Sequence, residues 1–154
     1  MVPALFSNQR ETNLQSTLAL VEAVLGELGH PASGARIDDK TALHAWRFQQ
    51  GSAAISVALV HRTAFTHIRV SAVVMTLDAK VDRAVLFAHL LARNAELTGA
   101  AFAIDNNHVL LVSERSTLDL DQSEVNDLIR RVAQYADDHD DSLVARYGGT
   151  LGAT

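Results

Sequence analysis

Three groups of side chains in this 154-residue chain could do chemistry: seven histidines, a five-residue run rich in aspartate, and two serines near a histidine. The histidines are His30, His44, His61, His67, His89, His108 and His139. They could hold a metal or move protons, but no two are spaced four apart, and neither H-x-x-x-H nor H-E-x-x-H occurs. His61 and His67 flank an expected turn between strands, where cross-strand neighbours can share a metal. No carboxylate is placed to help them. "DDHDD", Asp137 to Asp141, offers oxygen ligands for a divalent cation. Consecutive helical residues point in different directions, however, and the glycine-containing calcium loop is missing. The run therefore reads as a solvated stretch of helix. Ser113 and Ser116 lie near His108 in sequence, but a nucleophilic triad is a spatial arrangement that nothing here supports. There is no G-x-S-x-G, P-loop or G-x-G-x-x-G motif. "GELG" and "RYGGTLG" lack the strand–turn–helix setting of a phosphate cradle. No catalytic residue, metal or cofactor is expected.

The elements that would position such groups follow from periodicity. "ETNLQSTLALVEAVLGELGHP" repeats Leu14, Leu18, Val21, Leu25 and Leu28 on one helical face, and Gly29 with Pro31 stops it. "ASGARIDDKTA" is a polar loop or irregular strand. From Leu43 the period becomes two. Trp46 and Phe48, then Ile55, Val57 and Leu59, then Ile68, Val70, Ala72 and Val74 mark one apolar face of a three-stranded meander. "DAKVDRAVLFAHLLARNAELTG" is a helix with Asp78 as N-cap and Gly99 past its end. "AAFAI", the turn "DNN" and "HVLLVSERS" form a hairpin. The last helix opens on the capping pair Asp121 and Glu124 and carries Val125, Leu128, Ile129, Val132 and Ala136 on one face. The order α-β-β-β-α-β-β-α predicts an α+β fold, an antiparallel sheet with helices on its apolar face. Residues 1–148 are expected to form one domain and 149–154 a frayed tail.

Composition narrows the partners. Hydrophobic residues make up 48% and charged residues 20%, as in an ordinary folded protein. With no cysteine, thiol chemistry, disulfides and thiolate metal sites are excluded. A net charge of -5 argues against nucleic acid, which calls for clustered lysine and arginine. No apolar run approaches the roughly 20 residues of a membrane span, and the start of the chain lacks the pattern of a signal peptide. The expected location is the cytoplasm.

Two surfaces exceed what a plain solvated domain needs. The middle helix is apolar on two sides: Val81, Ala84, Val85, Ala88, Ala92 and Ala95 form one stripe, and Leu86, Phe87, Leu90, Leu91 and Leu97 another. One side can face the sheet; the other predicts a homodimer contact through Leu86, Phe87, Leu90 and Leu91. The second surface is the opposite face of the meander, where Arg47, Ser56, Ala58, His67, Arg69 and Ser71 alternate with the core positions. Small residues there allow an extended peptide to approach, and the arginines could meet its acidic groups. An exposed edge of the meander could also accept a strand.

"LLARNAELTG", "AAFAIDNNHVLLV" and "LDLDQSEVNDLIRRVAQYADDHD" resemble the YbjN-like bacterial proteins, which share the fold of type III secretion chaperones. The resemblance is strongest from Leu86 to Asp138; the first helix and the meander match in pattern only. It implies a small, acidic, dimeric, non-enzymatic binding protein that acts as chaperone or regulatory adaptor, sensory transduction regulator being a label given to the family. Its partner would be another protein, held as an extended segment. No residue of a client-binding site transfers one by one. The competing readings are a small metal-dependent enzyme using His61, His67 or the Asp137–Asp141 run, and a structural subunit of a larger assembly.

Overall fold

The computed structural model describes residues 3–63 and 65–152. Its elements are α1 (Pro3–Glu27), α2 (Ala32–Ala35), β1 (Arg36–Ile37), β2 (His44–Gln50), β3 (Ala53–Arg62), β4 (Phe65–Thr76), α3 (Arg83–Asn94), β5 (Ala101–Asp105), β6 (His108–Ser116), α4 (Gln122–Tyr147) and β7 (Thr150–Leu151). This is the expected α+β fold with an antiparallel sheet, extended by three short elements: α2, β1 and β7.

The sheet runs β1-β2-β3-β4-β6-β5, every pair antiparallel, and β7 pairs with β4 off that path. The hairpin of β5 and β6 docks on the meander through β6, placing β5 at the edge. Its two-residue turn is possible because Asn106 takes a φ of 52°, a left-handed conformation that Asn tolerates. Alternation then sorts side chains by face. Trp46, Ile55, Val57, Leu59, Ile68 and Val70 have essentially no exposure, and neither do Val21 and Leu25 of α1 or Val125, Ile129 and Val132 of α4. α4 lies across β3, β4 and β6, and α1 packs beside it. The helices thus cover one face of the sheet. Burying this apolar surface is the main stabilising term.

Caps and pairing at the ends refine the expectations. α4 opens on the expected capping box: the Glu124 N–H donates to Asp121 Oδ1 at 2.9 Å, and the Asp121 N–H to Glu124 Oε2 at 2.9 Å. α3 does not start at Asp78. Asp82 is its N-cap, accepting from the N–H groups of Ala84 at 3.1 Å and Val85 at 3.2 Å, while Asp78 accepts from the Lys80 N–H in the preceding turn. Val81 and Leu86, just before the cap and four residues into the helix, are both buried in the core, the placement of a hydrophobic staple. That staple sets the start at Asp82.

The described C-terminal residues, through Gly152, are paired into the sheet. Thr150 and Leu151 pair with Thr76 and Met75, beyond the point where β3 ends. The Gly152 N–H donates to the Val74 carbonyl at 3.1 Å. A Cβ on Gly152 would sit 1.9 Å from the Val73 oxygen, so this approach requires glycine. The frayed tail expected over 149–154 is therefore an edge strand in its described part; residues 153 and 154 lie outside the described residues.

Candidate functional site on the open sheet face

The sheet face turned away from the helices is built in rows. One row runs Ile37, Ala45, Ala58, Arg69, Glu114 across β1 to β6. The next runs Arg47, Ser56, Ser71, Val112, Ala101. A third joins Val73, Leu110 and Ala103 on β4, β6 and β5. Of these positions only Ala45 is fully buried; the others keep part of their exposure. The surface has a charged end, a centre of alanine and serine, and an apolar end. Leu43 and Phe65, among the large apolar side chains left exposed, follow the same alternation at the charged end.

Glu114 organises the charge. Its Oε1 accepts from Arg62 Nε at 2.8 Å and its Oε2 from Arg69 at 2.9 Å. The hydrogen bond from Arg62 draws its carboxyl down to about 2, against the upward push of burial and with further help from Arg69. Arg69 is therefore already neutralised within the chain. Arg47 is different. Its Nε donates to Ser56 Oγ at 3.4 Å, and among the described residues it forms no ion pair. Of the two arginines expected to meet acidic groups, Arg47 is the one available.

His67 lies in register between Val60 and Ser116, partly exposed at the charged end. Arg47, Ser56, His67, Arg69 and Ser71 thus share one face, as the alternation predicted. The sequence reading passed over Glu114, Val73, Leu110 and Val112. A signal was present: "HVLLV" is apolar at successive positions, so one strand presents apolar groups to both faces of the sheet.

The other candidates separate. His61 pairs with Thr66 and His67 with Val60, so the two histidines point to opposite faces and do not converge. Asp137 bonds Ser52, and Asp138 bonds Gln134, within a continuous α4. Among the described residues no group of three or more histidine and carboxylate side chains could hold a metal ion. Ser113 donates to the Gly99 carbonyl at 2.6 Å, a structural bond between β6 and the turn before β5.

On α3 the expected contact residues divide. Leu86 is 0% and Leu90 3% exposed within the chain's own core, which corrects their assignment to an intersubunit contact: they have no surface left to offer. Phe87 is half-buried and packs against that core. Leu91 is 71% exposed, and with Ala84, Ala88, Ala92 and Ala95 it leaves an apolar stripe facing outward. No helix among the described residues is long and apolar enough to cross a membrane.

A family model described as "T3SS (YopN, CesT) and YbjN peptide-binding chaperone 1" matches residues 15–153. No curated protein matches the sequence. Among solved structures, the chain is similar to one from the ExsC–ExsE complex, at 15% identity and a TM-score of 0.64, covering 84% of this chain and 94% of that one. It is similar to one from the HopA1–SchA chaperone–effector complex, at 10% identity and a TM-score of 0.60, covering 85% and 97%. It is also similar to one from the ExoU–SpcU complex of the type III secretion system of Pseudomonas aeruginosa, at 13% identity and a TM-score of 0.55, covering 82% and 96%. At these identities the likeness concerns the fold.

Proposed function

The chain belongs to the family of T3SS (YopN, CesT) and YbjN peptide-binding chaperones, and we propose that it holds an extended segment of a client protein on its open sheet face, without chemistry of its own. The observation that carries this reading is the face itself: a sheet covered by helices on one side only, with alanine and serine between an apolar patch and an unpaired Arg47. An extended peptide could lay its apolar side chains over Val73, Leu110 and Val112 and a carboxylate against Arg47. Ser56, Ala58 and Ser71 would leave room for its backbone. Strand addition at β5, which pairs only with β6, would supplement this contact. The protein would act as a chaperone or regulatory adaptor in the cytoplasm and as a homodimer, joined through the outward stripe of α3 with Phe87 and Leu91 at its centre.

Steric blockade tests the surface. Clients captured from the native cell and identified by mass spectrometry would be re-expressed as peptides and titrated by fluorescence anisotropy. Ser71→Trp should weaken binding at least about tenfold, and Arg47→Glu should weaken binding of acidic segments selectively, with melting temperatures near wild type. Equal affinity of Ser71→Trp and wild-type protein for the same peptide would remove the sheet face as the binding site.

A further inference from the structure

On the helix side of the sheet, a cavity of about 190 Å³ lies where α3, β5 and the end of α4 meet. Phe102 and Leu143 form apolar wall; α3 contributes His89 and Arg93, and α4 contributes His139, Ser142, Arg146 and Tyr147. Among the described residues no carboxylate lines it. Glu96 pairs with Arg93, but its side chain is 63% exposed and not part of the wall. Asp138, Asp140 and Asp141 are neighbours of His139 in sequence, yet none reaches the cavity.

Two details set this cavity apart from a packing defect. The Nε2 of His139 is buried with no hydrogen-bond partner, although the ring is held by stacking on Phe102, with centroids 5.5 Å apart. A buried polar atom left unpaired is costly, and natural proteins seldom retain one without a use. Arg146 lies 5.1 Å from the centroid of Tyr147, whose own ring is 5.5 Å from His89, and it forms no ion pair among the described residues. His89 is held below its ordinary value, first by burial and then by Arg146, Arg93 and His139, with Glu96 pulling weakly the other way. The groups around the cavity are positive or can become so, and of its two arginines only Arg93 has a counter-charge, in Glu96.

We propose that this cavity binds a small doubly charged oxyanion of the phosphate class, with Arg146 and Arg93 as fixed cations and the imidazoles of His89 and His139 as donors, while the Ser142 hydroxyl is spent on the His139 carbonyl at 3.0 Å. The volume equals about six waters, room for a phosphate group together with several waters. Bound anion favours the protonated form of His89, so binding takes up a proton and strengthens as pH falls. The site lies away from the open sheet face and would leave client binding unobstructed.

Calorimetric titration of the whole chain tests this at constant ionic strength, with chloride as the reference salt. Sulfate is the clean probe of pH dependence, because it stays doubly charged between pH 6 and pH 8. Sulfate should bind once per chain, about tenfold more tightly at pH 6 than at pH 8. Arg146→Gln, a change at an exposed side chain, should lose binding about tenfold while keeping its circular dichroism spectrum. His89→Gln, if folded, should keep binding at pH 8 and lose part of the gain at pH 6. Heats no different from chloride, an Arg146→Gln affinity equal to wild type, or equal affinity at the two pH values would each overturn the site. Inorganic phosphate and glycerol phosphate then distinguish a free phosphate from an ester; tighter binding of either upholds the assignment.

Discussion

Glu114 bridges two arginines from different strands, so its ionisation bears on stability as well as on charge at the surface. Its carboxyl sits at about 2 in the folded chain, against an ordinary 4.5. A depressed carboxyl contributes stability that is fully present above its unfolded value and is lost as pH falls towards the folded one. Urea midpoints of the wild type should therefore decline between about pH 4.5 and pH 2. Glu114→Gln should be slightly less stable at neutral pH, because Arg62 is half-exposed and the pair is screened, and should show a shallower acid decline. An unchanged acid slope would mean that the bridge is not coupled to folding. This residue was invisible in the sequence for a simple reason. Its partners lie 52 and 45 positions away, and only the strand register brings them together.

At the scale of elements, the short pieces carry the instruction. β7 occupies the flank of β4 that β3 leaves open, and it can do so because Gly152 approaches the Val73 carbonyl more closely than any side chain permits. Gly152→Ala should release this strand. Amide exchange at residue 152 should accelerate by at least tenfold, and global stability should fall by about 1 kcal/mol, the net worth of a few exposed hydrogen bonds. Protection equal to wild type would show that the chain relaxes around the new methyl group. "GGTLG" has the look of a tail because two residues are too few for any periodicity to register. The expected cap Asp78 fails for a related reason: the cap is Asp82, and the burial of Val81 and Leu86, which no local motif shows, fixes it there.

At the scale of the whole molecule, the outward stripe of α3 gives the proposed dimer a specific test. Leu91→Asp should convert a dimer to a folded monomer in light scattering, since Leu91 is 71% exposed in the single chain. Leu86→Asp should instead unfold the protein, because it would place a charge in a position with no exposure. A Leu91→Asp protein that remains dimeric, or a monomeric wild type, would end the assignment. Both outcomes leave the open sheet face untouched, so the two surfaces can be judged separately.

What the amino-acid order alone settled was periodicity: the stretches that form the three long helices and the five long strands, the apolar face that the meander turns to the helices, and Asp121 as the cap of α4. These depend on residues a few positions apart, within the reach of a repeat of two or 3.6. The tertiary structure decided everything that depends on partners distant in sequence. It set the strand order, sent His61 and His67 to opposite faces, gave Arg69 to Glu114, buried Leu86 and Leu90 while leaving Leu91 outside, and shaped a cationic cavity between α3 and α4. Local pattern says which side chains are apolar or charged; only packing determines which of them still have surface or charge left to offer a partner.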